Sequence, residues 1–542
     1  MIIKYIENHP VTSIVLFSLL LLLPNLNSAV LTIMEARNFI TAREMVLDGN
    51  WILTTMNGNP RYEKPPFPTW MTAISGMLFG MKSLFALRLP AALMVTFSGF
   101  FIYLFAKKLT KDQILSTIIG FIFITSFYII GIINEAPWDI FTHGFMIAAI
   151  YFLFQFFETN TAIWKNAILA GILGGLSLMS KGPVSLYVLL LPFLISYAIL
   201  FKFKHFKGKA LPLLTFIILM FAIGGWWFIY VRMVDNEAFI EIAKKETSRW
   251  GSYNVRPFYY YWSFFVQSGI WAILALVGLI YPYIIKRVTN KKIYKFTFLW
   301  TIITLILLSI IPEKKSRYLV PILFPLAINT GLYVYHLILN FKDFKSKRDS
   351  FPVYFNFGFF GLLGFAIPIA ALIILKERLD GLWIPFGLLS ASMIAIGFYL
   401  FKSLKSKNIK NAFYGQVTFM LAFLVFGMPL SKALHDTTSF KNISDLKNEI
   451  EREQNIKSYA FKGLTPELLW YYGNTIEKIT TTLPLEDTLG ILVKKVDEKE
   501  FKQLTEGYKV ELIETYDLNH FKKKRIRLER DYYLITKNTI FD

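Results

Sequence analysis

Residues 211–231 read LPLLTFIILMFAIGGWWFIYV, a stretch with no charged side chain, preceded by the basic run FKFKHFKGK (201–209) and followed by RMVDNE (232–237). About 20 apolar residues are enough to carry a helix across the hydrocarbon core, so this run reads as a transmembrane span. Its flanks differ as the two faces of a membrane differ, because short Lys- and Arg-rich loops stay in the cytoplasm.

Working outward from this run gives about thirteen apolar stretches, starting near Val11, Leu84, Ile114, Trp138, Trp164, Pro183, Leu211, Trp262, Phe296, Tyr318, Tyr354, Leu382 and Ala412. An odd number puts the termini on opposite sides. With the N-terminus in the cytoplasm, the Lys-rich loops KKLTKDQ (107–113), FKFKHFKGK (201–209), KRVTNKK (286–292), FKDFKSKR (341–348) and FKSLKSKNIK (401–410) all fall inside. The acidic groups and the Pro, Trp and Tyr clusters fall outside, in MEARNF (34–39), YEKPP (62–66), NEAPWD (134–139) and the segment 232–261. The first apolar stretch lacks a small-x-small cleavage site and runs into Pro24 and Asn25, so it reads as a retained helix rather than a signal peptide.

Composition agrees. The chain is 55% hydrophobic and 18% charged, with mean hydropathy +0.47, more apolar surface than globular cores would hide. Its net charge of +21 is concentrated in short inside loops, which marks topology and argues against nucleic acid as a partner. There is no cysteine, which excludes disulfides and thiolate chemistry. The expected class is therefore a polytopic all-α membrane protein, residues 1–430. It carries a soluble C-terminal α/β domain, residues 431–542, in which strand-like SYAFKG, LGILVKKV and DYYLITK alternate with helix-like NISDLKNEIEREQ and DEKEFKQLTEGY.

Two outer loops are long, 34–83 and 232–261, and long ordered loops usually carry function. The first opens with a helical pattern in which Ala36, Phe39, Ile40, Val46 and Leu47 recur on one face and Gly49 ends it, an amphipathic helix expected in the outer interface. Charges near a bilayer persist where they line a wet cavity or meet a charged ligand. Glu35, Arg37, Glu63, Lys64, Glu135, Asp139, Lys181, Glu246, Arg249, Lys314, Lys315 and Arg317 all map to the outer side. Several cations with a few carboxylates suit a lipid phosphate, the cations gripping it and the carboxylates left for an acceptor or a metal. Plainer readings exist for each: a solvated helix face for Glu35 and Arg37, a rigid Pro turn for Glu63 and Lys64, an interfacial belt for Tyr318 and Phe258–Trp262. Lys181 and the triple cation of PEKKSRY are harder to explain so, because topology alone disfavours positive charge outside. The six histidines show no paired spacing for zinc.

The segment 35–80, EARNFITAREMVLDGNWILTTMNGNPRYEKPPFPTWMTAISGMLFG, resembles the first outer loop of GT-C glycosyltransferases of the aminoarabinose transferase and protein mannosyltransferase superfamily. LSLMSKGPV (176–184), WWFIYV (226–231), KETSRW (245–250), RPFYYY (256–261) and PEKKSRYLVPILFPLAI (312–328) follow in the family's order. The resemblance implies a GT-C-like fold with outer juxtamembrane helices. It implies inverting transfer of a sugar from a polyprenyl-phosphate donor, undecaprenyl phosphate in bacteria, to a lipid A, glycan or protein acceptor at the outer face of the inner membrane, with the C-terminal domain periplasmic. Carried over by position, Lys64, Arg37, Lys181, Lys314, Lys315, Arg317 and Tyr318 bind the lipid phosphate, and Glu35 and Asp139 are the catalytic carboxylates. Two positions depart from the pattern. The family's Asp–Glu pair is here Met34–Glu35, and the His that joins the Glu of EKP on a metal is replaced by Glu246–Thr247, so Glu63 lacks its partner and divalent metal is left open. A transporter or flippase of lipid-linked sugars would favour internal repeats and midplane charges, and a membrane-anchored binding protein would place its work in the C-terminal domain.

Overall fold

The computed structural model describes residues 2–435, 440–446, 451, 455–521 and 524–537, with only the backbone given at position 250. The chain divides into two compact units, Met1–Ala29 with Arg61–Leu430, and Val30–Pro60 with Ser431–Asp542. One junction between the units falls at 430/431, and residues 30–60 group with the second unit.

In the first unit ten helices among the described residues are long and apolar enough to cross a membrane. Two bent pairs raise the number to twelve: Ile2–Asn8 with Pro10–Leu22, turned by 115°, and Gln113–Ile124 with Phe127–Glu135, turned by 42°. The first bend falls at His9, because Pro10 can open a helix but cannot donate to the preceding turn. With the shorter apolar helix Leu186–Phe201, each of the apolar stretches expected from the sequence has its helix.

Lipid tails are as apolar as leucine, so helices in a bilayer associate through close backbone approach and polar side chains rather than hydrophobic burial. Both devices are present. Ile163–Lys181 packs along Ala210–Val234 at glycine. A Cβ on Gly175 would stand 2.6 Å from Ile223 Cβ and 3.1 Å from the Met220 carbonyl, and one on Gly224 would stand 2.4 Å from Leu178 Cβ. Elsewhere Thr297 donates to Asn329 Oδ1 at 2.7 Å, and Asn329 donates to Thr301 at 3.2 Å, joining Lys291–Ile310 to Val320–Asn340. Asn356 donates to Gln416, which donates to the Ile270 carbonyl, tying three further segments.

The second unit is built on a five-stranded sheet. A short hairpin, β1 (Thr55–Met56) and β2 (Asn59–Pro60), comes first in the chain. The sheet strands are β3 (Ser458–Phe461), β4 (Glu477–Ile479), β5 (Thr488–Val493), β6 (Tyr508–Asp517) and β7 (Glu529–Lys537), in the order β4-β3-β5-β7-β6. β3 runs parallel to β4 and β5, and β7 is antiparallel to β5 and β6. Alternate residues Tyr459, Phe461, Leu489, Ile491, Val493, Tyr533 and Ile535 form one buried face, covered by Phe501 of the helix Glu498–Leu504. The α/β character read from alternation is therefore present; most of the helix expected over 442–454 lies outside the described residues.

The helix expected in the first outer loop spans Ile33–Asp48 and ends at Gly49, whose φ of 75° is the left-handed conformation that glycine adopts without strain. Its environment differs from that of an interfacial helix, since Glu35, Asn38, Thr41, Arg43 and Glu44 are all buried. Arg43 donates to the Trp470 carbonyl at 3.1 Å and lies over the Trp470 ring. Glu44 accepts from Thr55 and from the Asn57 and Gly58 amides, and the Asn57 side chain pairs with both backbone groups of Ile476. The exposed amphipathic helix is instead Asn236–Ser252 in the second outer loop, where no described side chain is buried.

Gly175→Leu should therefore separate the two glycine-packed helices and lower the thermal midpoint and monodisperse yield of the detergent-solubilised protein. Gly225→Leu, whose added Cβ meets nothing within 4 Å, should leave both unchanged in size-exclusion and thermal-unfolding runs.

Candidate active site

Two helices of the first unit place opposite charges at their facing ends. Pro137–Glu158 opens on Pro137, an N-terminal proline that needs no N–H partner, and puts Asp139 in its first turn. Ile163–Lys181 ends at Lys181, where Gly182 at φ 74° turns the chain and its amide bonds back to the Leu178 carbonyl at 2.7 Å. A carboxylate at a helix N-terminus and an ammonium at a C-terminus both suit the helix dipole. Lys181 Nζ lies 2.5 Å from Asp139 Oδ1, and Asp139 is 1% exposed. Lys181 also sits 5.0 Å from the centre of the Tyr318 ring, bringing in the start of the segment Ser316–Leu319.

Lys64 reaches the same place from the first outer loop. Its Nζ lies 4.0 Å above the Trp138 ring, and Arg61 stacks on that ring at 5.4 Å. Among the described residues Lys64 has no hydrogen bond and no ion pair; it has an aromatic face beneath it and other cations around it. Burial first, then repulsion from Lys181, Arg61 and Arg317, pushes its ammonium well below the usual lysine range, with Asp139 pulling the other way. Arg317 likewise has no ion pair among the described residues, its guanidinium lying 5.8 Å from the Tyr318 ring.

The neighbouring loop is held by backbone bonds. Val255 bridges Glu313, the Arg256 amide donates to the Pro312 carbonyl, and the Tyr261 hydroxyl accepts from the Lys315 amide and donates to its carbonyl. Lys314, 3% exposed, gives its ammonium to the carbonyls of Ile311 (2.6 Å) and Arg256 (3.1 Å), and burial lowers its pKa. Lys315 pairs with Glu313. Glu135 accepts from Tyr128 at 2.6 Å, and Glu246 pairs with Arg249 on the exposed helix Asn236–Ser252.

Of the residues singled out in the sequence, Lys64, Asp139, Lys181, Arg317 and Tyr318 come together in the first unit. Lys315 adjoins them through Tyr318 (5.7 Å), while Lys314 is turned into the loop that carries it. Glu35 and Arg37 belong to the second unit. There the Glu35 carboxylate accepts from the Thr32 amide at 2.9 Å while the Glu35 amide donates to the Thr32 hydroxyl, a reciprocal capping box. Arg37 is half-buried on the same helix. Glu63 is exposed and faces Arg61 at 3.8 Å. Among the described residues no three His, Cys, Asp or Glu side chains, Glu63 included, converge as a metal-ligating group would. Trp138 and Arg61 escaped the sequence reading, although the dipeptide Trp138–Asp139 inside an outer loop motif was a signal that a ring and a carboxylate share one turn.

The dolichyl-phosphate-mannose-protein mannosyltransferase family profile matches residues 63–227, which include Lys64, Asp139 and Lys181. An undecaprenyl phosphate-alpha-4-amino-4-deoxy-L-arabinose arabinosyl transferase of Wigglesworthia glossinidia brevipalpis is 30% identical over 303 residues, covering 54% of this chain and 53% of the relative. The namesake protein of Pectobacterium atrosepticum is 24% identical over 430 residues, covering 78% of this chain and 74% of the relative. Crystal structures of ArnT from Cupriavidus metallidurans, in the apo state and bound to undecaprenyl phosphate, superpose with TM-scores of 0.69 and 0.64 over 97% of this chain and 98% and 97% of theirs, at 15% identity. The chain resembles these glycosyltransferases over part of its length. It is a multi-pass membrane protein with the ArnT fold, and it spans between half and two thirds of the length of the first relatives it matches.

Lys181→Met should leave Asp139 buried without its partner and cost about 3–5 kcal/mol. Lys181→Met combined with Asp139→Asn should recover much of that loss, so a thermal double-mutant cycle on the purified protein reads the pair directly.

Proposed function

We propose that this protein is an inverting glycosyltransferase of the GT-C superfamily that moves a sugar from a polyprenyl-phosphate donor, undecaprenyl phosphate, to a lipid A, glycan or protein acceptor. The reaction would take place at the outer face of the bacterial inner membrane, with the N-terminus cytoplasmic and the C-terminal domain periplasmic. The observation that carries this reading is Lys64, a desolvated ammonium on an indole face with no anion of its own and with Arg317 and Lys181 beside it. Such a group is destabilised until an anion arrives, and a lipid phosphate is the anion that a bilayer supplies. The names of the relatives and the undecaprenyl phosphate bound by the Cupriavidus protein support the same donor.

In the proposed reaction an acceptor oxygen attacks the anomeric carbon from the face opposite the phosphate. The bond between that carbon and the phosphate oxygen breaks, and its electron pair stays on the phosphate. Negative charge therefore grows on the leaving group, where preorganised cations lower the barrier. Lys64 and Arg317 meet that charge, Tyr318 and Lys181 line the pocket, and Lys315 adds field from its pair with Glu313. Lys314 acts as the structural clamp of this loop. Asp139 takes the proton of a hydroxyl acceptor, while an acceptor phosphate, already anionic, needs no base. On the helix of the second unit, Arg37 is assigned to the donor and Glu35 to a carboxylate role through the family pattern.

Deleting the gene and comparing the masses of envelope lipids and glycans should reveal loss of one sugar increment. Unchanged profiles across several growth conditions would overturn the transferase reading. Lys64→Ala should lower transfer by about 10²-fold or more while leaving membrane insertion intact. The lowered pKa of Lys64 gives a second test. A phosphomonoester is fully ionised above about pH 7.5, so beyond that point only the protein titrates. Phosphate binding needs the charged ammonium, so undecaprenyl-phosphate affinity should fall as pH rises from there, starting below the ordinary lysine range. In Lys64→Arg the guanidinium stays charged, and the same binding titration should become flat.

A further inference from the structure

One turn beyond Asp139 on the helix Pro137–Glu158 stands His143, 2% exposed and absorbed by none of the assignments above. Asp139 gives one carboxylate oxygen to Lys181, but its Oδ2 is buried and has no hydrogen-bond partner among the described residues. His143 Nδ1 is in the same condition. Residues four apart on a helix face have Cβ atoms about 5–6 Å from each other, which leaves room for one water between their polar tips. A buried polar atom without a partner costs about 1–3 kcal/mol, and two such atoms on residues four apart along one helix suit a structural water.

We propose that His143 is a positioning residue for Asp139, acting through a single buried water held between His143 Nδ1 and Asp139 Oδ2. Lys181 then fixes one carboxylate oxygen and the water fixes the other, so the carboxylate plane cannot rotate. The plain alternative is a histidine that only fills space in the helix bundle. In that case any apolar side chain of similar volume serves equally well and the interval is dry. The proposal rests on the reading that Asp139 faces the reacting centre, but its geometric part does not.

Two measurements on the full chain decide it. An electron cryo-microscopy map at a resolution that shows ordered water should contain a density peak within hydrogen-bond distance of both atoms. A dry interval, or a direct bond between the two side chains, overturns the proposal whatever the protein's activity. In transfer assays with undecaprenyl-phosphate-linked sugar, His143→Leu should lower kcat by about 10-fold with KM for the donor within about twofold. His143→Asn, which returns a polar atom near the place of Nδ1, should restore most of the rate. Full activity in His143→Leu, or an equal loss in His143→Asn, would contradict the positioning role. Wild-type protein that transfers no sugar would instead sink the proposed function and leave the water to the map.

Discussion

The Asp139 carboxylate lies 1% exposed at the start of one apolar helix, and Lys181, at the end of the next, is 2.5 Å from it. Neither charge is tolerable alone at that depth, so the pair fixes where both helices stop and how they are turned about their axes. The glycine contacts of Ile163–Lys181 with Ala210–Val234 then set the position of a third helix from the same reference. The pair also decides which cations are available. Lys181 is matched by Asp139, Lys315 by Glu313 and Lys314 by two carbonyls, whereas Lys64 and Arg317 make no ion pair among the described residues. The proposed anion role of this cluster rests on that imbalance, not on the number of basic residues in its loops.

Much of the membrane part was legible because a bilayer imposes a one-dimensional rule on sequence: long apolar runs, separated by loops whose charge alternates. The helices that carry the runs near Val11 and Ile114 bend, at His9 and at Thr125–Ser126, and a hydropathy scan sees length but not direction. The sheet was legible from alternation in β3, β5 and β7. The grouping of residues 30–60 with the C-terminal sheet was not, since it rests on Arg43 with Trp470 and Asn57 with Ile476, pairs some four hundred residues apart with no local signature. For the same reason the helix Ile33–Asp48 looked interfacial: its polar side chains read as a solvated face until the distant carbonyls and amides that receive Arg43 and Glu44 are known.

The candidate site shows a similar division. Lys64, Asp139, Lys181, Arg317 and Tyr318 were visible as charges or rings mapping to one side, though topology failed to explain only Lys181 and the PEKKSRY cations. Trp138 and His143 were not, because an aromatic or a lone histidine within an apolar helix is ordinary in sequence. What distinguishes them is only what faces them: an ammonium 4.0 Å from one ring, and an unpartnered carboxylate oxygen one turn from the other.

Met34 sharpens the question of which carboxylate serves the reaction. Thr32 caps the helix, so Met34 and Glu35 are its second and third residues, and the third is where a glutamate closes a capping box. The Glu35 carboxylate already accepts from the Thr32 amide and so has a structural task at the helix start. Asp139 is tied to Lys181 through Oδ1, and its Oδ2 has no protein partner among the described residues. With Met34 at the second helical position, the carboxylate that remains at this helix start does structural work, which favours Asp139, with Lys181 as its only protein partner among the described residues, for the proposed proton-accepting role.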